Sequence, residues 1–331
     1  MEIVQGVHQM KLPLPAGALD HNNAYLIEGS NGNLLIDTGF DTPEAFAALR
    51  DGLRFNGFGF KDITQIVVTH IHPDHYGLAD KLKQMSGATV ACSDIEAEFI
   101  DSRYNKTNDL LKEVRSLFKS NGVPDGELTE LTEASMAVRQ LVGVVQPDIT
   151  LKNGDKITVN SSEFEVVLTP GHSPGHICLY EPKRKLFFSG DHILSDIFPH
   201  VGFHPQSGEN PLGDFFNSLE ALANLEVSFI FPGHGSVFSG FQLRLGELYR
   251  HHEQRQLAIK RIIENDMKPA YQIATEIPWM PGGEAVSFDK LSASDKRLAV
   301  METLAQLKLL VIEGKAEKVV KDNIDIYWAG G

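Results

Sequence analysis

The run Ile66-Val67-Val68-Thr69-His70-Ile71-His72-Pro73-Asp74-His75 restricts what this chain can fold into more than any other stretch. Its first four residues are apolar or β-branched and read as a buried strand. Beyond it, Gly77-Leu78-Ala79-Asp80-Lys81-Leu82-Lys83 reads as the opening of a helix. Three histidines and an aspartate therefore crowd into one strand-to-helix loop, where a rigid scaffold displays chemistry. Pro73 fixes one backbone angle and bars regular helix through the cluster. His70 and His72 are two apart and can point the same way; Asp74 and His75 can converge from the helix side. That pattern suits a two-sided metal site, and a merely solvated loop seldom concentrates four such donors.

Further polar residues follow apolar runs in the same manner: Asp37 in LLIDTG, His172 in LTPGHSPGH, Asp191 in LFFSGDHIL and His234 in FIFPGHG. Each is flanked by glycine or proline, which let the backbone turn sharply and approach a site closely. His70, His72 and His172 would supply three imidazoles to one zinc ion. Asp74, His75 and His234 would hold a second, with Asp191 bridging both. Zinc takes nitrogen and carboxylate oxygen at about 2.0–2.2 Å. Two divalent ions about 3.5–4 Å apart share a hydroxide made available near neutral pH. The expected cofactor is thus two Zn2+ per chain, with Fe or Mn compatible with the same donors.

Apolar runs and helical periods alternate through the rest of the chain, which makes the class α/β. Strands are expected at 2–7, 24–28, 33–36, 63–69, 88–92, 157–159, 164–168, 176–180, 185–188 and 227–231. Thr42 to Leu53 reads as a helix with Thr42 as cap and Pro43 in its first position. Residues 94–147 break the rhythm with helical periods alone, a helical insertion. After Gly240 come a long helix to Ile263, a short helix around 270–276, a Pro/Gly break at 279–283 and a helix over 294–307. Strand-like runs at 309–311, 318–320 and 324–327 close the chain. The expected organisation is a catalytic domain over 1–240 and a small winged-helix-like domain over 241–331.

Asp37, the His70-Ile71-His72-Pro73-Asp74-His75 run, His172, Asp191 and His234, in that order, closely resemble the metallo-β-lactamase superfamily, over roughly residues 1 to 240. The resemblance implies an αββα sandwich with its site at one edge of two packed sheets, and it implies that Asp37 orients ligands. True β-lactamases of that family usually lack the bridging aspartate, so Asp191 points away from antibiotic hydrolysis. A diiron oxidoreductase branch typically has glutamate where His72 stands. The glyoxalase II-like hydrolase branch keeps all seven ligands. The expected function is therefore a dinuclear metal-dependent hydrolase that uses a metal-bridging hydroxide, with Asp74 and Asp191 as catalytic carboxylates, acting on a thioester or lactone. The alternatives are a phosphodiesterase or endoribonuclease on the same site, a mononuclear iron persulfide dioxygenase, and a non-enzymatic nucleic-acid-binding protein. The tail resembles the winged-helix tail of family hydrolases related to a mitochondrial endoribonuclease.

Other residues divide between chemistry and packing. Tyr76 and His192 are candidate substrate contacts. His200 and His204 read as loop-surface histidines, and the adjacent pair His251-His252 as helix surface. Leu110, Leu111, Val114, Leu117, Phe118, Met136 and Leu141 form an apolar helical face in the insertion.

Charge decides the partners. The net charge of −14 disfavours non-specific attraction to nucleic acid or anionic membrane. Residues 244–331 carry 13 Lys/Arg against 13 Asp/Glu, so the tail lacks the basic footprint of a nucleic-acid binder. A small-molecule substrate and homodimer contacts are the expected partners. Cys92 and Cys178 sit in short apolar contexts and read as core residues, without a disulfide framework. With no run near twenty apolar residues and no signal-peptide layout, no membrane span and a cytoplasmic location are expected.

Overall fold

The computed structural model describes residues 1–15, 19–264, 266–280 and 285–329. Positions 281 to 283 of the expected Pro/Gly break lie outside the described residues. One sheet runs in chain order through β1 (Glu2–Val4), β2 (Val7–Pro13), β3 (His21–Ile27), β4 (Asn33–Ile36), β5 (Ile63–Val67), β6 (Thr89–Ser93) and β7 (Ile149–Leu151). The second contains β8 (Lys156–Val159), β9 (Ser162–Leu168), β10 (Ile177–Glu181), β11 (Leu186–Gly190) and β12 (Phe229–Pro232) in the order β12-β11-β10-β9-β8.

The parallel pairs β4·β5, β5·β6 and β11·β12 need crossovers, and helices supply them. These are α1 (Pro43–Phe55), α2 (Pro73–Tyr76) with α3 (Ala79–Ser86), and α8 (Pro211–Leu222). Thr42 Oγ1 accepts from the Ala45 N–H at 3.2 Å and caps α1, an interaction worth about 1 kcal/mol. Gly87, at φ 81°, closes α3 in the left-handed conformation that glycine adopts without strain.

Apolar residues sort into the layers of an αββα sandwich. Tyr25, Ile27, Leu34, Ile36 and Val67 of the first sheet pack against Phe164, Val166, Ile177, Leu179 and Phe188 of the second. Leu49, Leu53, Leu78 and Leu82 cover the outer face of the first sheet. Phe215, Leu219, Phe241, Leu245 and Leu248 cover that of the second. Ligand loops at the strand ends of both sheets thereby meet at one edge.

The insertion contains α4 (Asp94–Ile100), a π-helical turn (Asp101–Asn105), α5 (Thr107–Ser120), α6 (Asp125–Glu133) and α7 (Met136–Arg139). The tail contains α9 (Phe241–Ile263), α10 (Ala270–Thr275), α11 (Ala293–Ile312) and the hairpin β13 (Glu317–Lys321) with β14 (Ile324–Trp328). Leu110, Val114, Phe118, Leu128 and Leu131 of the insertion share one core with Ile259, Ile263, Ile273, Leu304 and Tyr327 of the tail. Of the apolar face read in the insertion, Leu110, Val114, Leu117 and Phe118 pack in that core, and α9 connects it to the second sheet.

Three local readings need correction. The strand expected at 2–7 is two strands, because Gly6, at φ 72°, turns the chain between them. Residues 309–311 are the end of α11 rather than a strand, since Leu309 and Leu310 continue its buried face. His252 is buried, with its Nδ1 3.0 Å from Gln306 Nε2, while His251 stacks on Phe198, so the pair is packed against neighbours rather than solvated. Both cysteines are free and buried. Among the described residues no helix is long and apolar enough to cross a membrane.

Candidate metal centre

The loop from His70 to His75 follows β5, and its histidines aim into one cluster. His70 Nε2 lies 2.9 Å from His72 Nδ1, and His172 Nε2 lies 3.2 Å and 2.9 Å from those two atoms. Three imidazole nitrogens thus face one another in a triangle. Donors at about 2.0–2.1 Å from a tetrahedral zinc would stand about 3.3–3.4 Å apart, so a slight spreading of the cluster is all that separates it from such a site.

The outer nitrogens set the tautomers. Thr69 Oγ1 has one proton, which it donates to Asp37, so it accepts from His70 Nδ1 at 3.1 Å. His172 Nδ1 donates to the His200 carbonyl at 2.8 Å. In both rings the Nε2 lone pair is left facing the cluster, the orientation a metal-ligating histidine takes. Burial, and then the neighbouring imidazoles, pull His70 well below the ordinary histidine pKa; burial and His172 do the same to His72.

The second cluster mixes carboxylates with imidazoles. His234 Nε2 stands 3.2 Å from Asp74 Oδ2, and its Nδ1 donates to the His21 carbonyl at 3.0 Å. His75 Nε2 stands 3.7 Å from Asp74 Oδ2, while its Nδ1 pairs with Asp37 Oδ2 at 2.8 Å. Burial opposes charge on both histidines, but Asp191 and its fellow carboxylates prevail. His75 is raised well above its ordinary value, and His234 to about 10.

Asp191 lies between the clusters. Its Oδ2 is 3.6 Å from His172 Nε2 and 3.4 Å from His234 Nε2, and its Oδ1 is 3.4 Å from His75 Nε2. His75 Nε2 and Asp191 Oδ1 are buried without a hydrogen-bond partner. Buried polar atoms are rarely left so, and a cation taking the place of the His75 Nε2 proton would satisfy both. Gly233 makes the approach feasible, because a Cβ there would stand 2.3 Å from Asp191 Oδ1.

Asp37 lies behind both clusters. It accepts the Thr69 N–H at 2.8 Å beside His70 and holds His75 from the other side. Its own φ is 60°, a strained conformation for a non-glycine residue, costing about 1–3 kcal/mol. The expectation for Tyr76 meets a different environment: it is buried, and its hydroxyl donates to the Val145 carbonyl and accepts the Val145 N–H. It fastens the end of the insertion to the ligand loop. His192 is also fully buried, with its ring against Phe215 and its pKa pushed to about 3 by burial. The loop histidines are nearer the site than surface positions would be. His200 supplies the carbonyl that holds His172, and both His200 and His204 are only partly exposed.

Two residues that position ligands went unread. Glu96 is buried and accepts from the Ile71 N–H at 3.0 Å and the Gly175 N–H at 2.9 Å, joining the two loops of the first cluster. His176 Nε2 accepts from the Asp191 N–H at 3.1 Å. The repeated Gly-His in PGHSPGH was a signal for the second; a glutamate in a helical stretch offered none.

A family model described as Metallo-beta-lactamase superfamily matches residues 17–234. The chain is 24% identical to a probable metallo-hydrolase, YqjP, of Bacillus subtilis (strain 168), over 98% of this chain and 96% of the relative. It is 28% identical to acyl-coenzyme A thioesterase MBLAC2 of Bos taurus, over 69% of this chain and 78% of that one. The crystal structure of metallo-beta-lactamase family protein TTHA1429 from Thermus thermophilus superposes with a TM-score of 0.84 at 27% identity, covering 99% of this chain and 100% of the other. That superposition takes in the insertion and the tail as well as the sandwich.

Proposed function

The chain belongs to the metallo-β-lactamase superfamily and is a metal-dependent hydrolase; from that premise we propose that it is dinuclear, binds zinc at both clusters, and cleaves thioesters. The observation that carries the reading is Asp191, set between two donor clusters with an unpartnered buried oxygen. His70, His72 and His172 would hold one ion, Asp74, His75 and His234 the other, and Asp191 both. A bound pair of such ions supplies an activated water and polarises the substrate's carbonyl oxygen.

The chain's own contribution is orientation and charge. Asp37, Glu96 and the His200 carbonyl hold ligand loops in place, so little reorganisation is needed on binding. Asp74 and Asp191 bring anionic oxygen beside His234, which offsets the charge of a bound cation. The insertion is fastened to the ligand loop through Tyr76 and Tyr104, which limits the loop's movement. The thioester preference over a lactone is supported by the likeness to an acyl-coenzyme A thioesterase.

The test is elemental analysis of protein purified without chelator, followed by assay of an acyl-coenzyme A, a lactone, a phosphodiester and single-stranded RNA. About two zinc ions per chain and thiol release from the acyl-coenzyme A are expected. A stable value near one ion, or turnover confined to the phosphodiester or RNA, overturns the reading.

A further inference from the structure

Three arginines of the insertion and tail are withdrawn from water and, among the described residues, have no carboxylate partner. Arg103 comes from the π-helical turn, Arg139 from the end of α7 and Arg297 from α11. Arg103 and Arg297 expose only 8% and 7% of their surface, and Arg139 is half-buried. Arg139 Nη1 donates to the Arg103 carbonyl at 3.4 Å, Arg297 Nη1 to the Leu131 and Thr132 carbonyls at 3.1 Å each, and Arg103 Nε to Gln206 Oε1 at 3.2 Å. Each side chain is thus held by neutral acceptors, with guanidinium N–H groups to spare.

This is unlike the arginines elsewhere. Arg50, Arg184, Arg244 and Arg255 each have a carboxylate within 3.3 Å. Among the described residues the other arginines without an ion pair, at positions 54, 115, 250 and 261, are exposed to water. Burying like charges together without a counter-charge opposes folding. Burial, and then their mutual repulsion, lower Arg139 to about 10 and Arg297 to about 9. A chain that pays this cost at a site edge has a use for the field it creates.

The position supports that use. Tyr104, adjacent to Arg103, donates its hydroxyl to the carbonyl of Ile71, which lies between His70 and His72. Gln206, the partner of Arg103, belongs to the same connection as His200, whose carbonyl holds His172. The turn that carries Arg103 is therefore fastened to the first ligand loop, and Arg103 is fastened to the connection that holds His172.

We propose that Arg103, Arg139 and Arg297 form an oxyanion subsite that receives a phosphoryl or carboxylate group of the substrate while the bond to be cleaved lies at the metal centre. Guanidinium forks match both groups geometrically and keep their charge at neutral pH. The subsite's role in catalysis rests on the hydrolase reading above, but its capacity to bind an anion does not.

The test is calorimetric titration of the metal-free full chain with inorganic phosphate and with succinate. Binding with a Kd of ~1 mM or tighter is expected for at least one anion, and the tighter of the two identifies the group recognised. Arg139→Met should weaken it by about tenfold or more, whereas exposed Arg115→Met and His234→Ala should not. Arg139 is the position of choice because it is half-buried and its one protein hydrogen bond is long, so the variant should match the wild type in circular dichroism and zinc content. With zinc restored, the same variant should raise KM for a carboxylate-bearing thioester more than for its neutral counterpart. No binding of either anion, or binding unchanged by both Arg139→Met and Arg103→Met, overturns the subsite. Anion binding without turnover of any ester would leave the subsite standing and remove the hydrolase reading instead.

Discussion

The two donor clusters stand side by side and share Asp191, yet they hold protons differently. The first presents imidazoles that burial and mutual repulsion keep neutral. The second presents His75 and His234, held protonated against burial by Asp191, Asp74 and Asp37. A cation entering the first finds lone pairs already turned inward. One entering the second must displace protons that the carboxylates retain. Metal affinity is therefore a competition with protons at one cluster and largely a matter of geometry at the other.

Removing Asp191 should break the comparison most completely, because it faces both clusters. Asp191→Ala is expected to cut turnover by at least about a hundredfold and to lower metal content together. Full zinc content with wild-type turnover would show that Asp191 bridges nothing. The next largest effect should separate the clusters. His172→Ala and His234→Ala are each expected to lose about one ion per chain, with the remaining ion held at a different affinity in the two variants. Loss of both ions in each variant would mean the clusters form as a single unit.

Residues behind the ligands should act more gently. Glu96→Gln loosens only the loops of the first cluster, and ~10–100-fold weaker binding of one ion is expected, measured by chelator competition. Asp37→Asn should weaken both, since Asp37 holds His75 directly and His70 through Thr69. Equal effects from the two substitutions would contradict this division.

The smallest effect is that of pH on the metal-free protein. The folded pKa of His234 is raised to about 10, so its contribution to stability is fully present below the unfolded histidine value and disappears as pH rises through about 10. Thermal unfolding of metal-free protein should show a decline over that window that His234→Ala removes. Over the same window zinc affinity of the second cluster should rise with pH, while that of the first, whose His70 and His72 are already neutral, should stay level. Proton release measured during zinc titration distinguishes the two.

The ligand residues were legible because their signals are local. An apolar run followed by a polar residue framed by glycine or proline marks a strand end wherever it occurs, and His172, Asp191 and His234 all carry that mark. Helix caps such as Thr42 with Pro43 are equally local. Misreadings fell where the deciding contact is distant. Nothing near Tyr76 in the chain announces Val145 as its partner, and nothing near His252 announces Gln306. The periodicity of α11 weakens at 309–311 because the helix is buried on most sides there, so an apolar run resembled a strand.

By itself the sequence determined which potential donors stand at strand ends, because donor type and backbone punctuation are properties of neighbouring residues. Only the tertiary structure decided that Asp191 lies between two clusters that hold protons differently, that Glu96 ties two ligand loops together, and that Arg139 of α7 reaches the backbone of Arg103 in the π-helical turn. Those facts depend on packing the insertion against the tail and one sheet against the other. Burial and Coulomb interactions act through space, and the residues they join stand far apart along the chain.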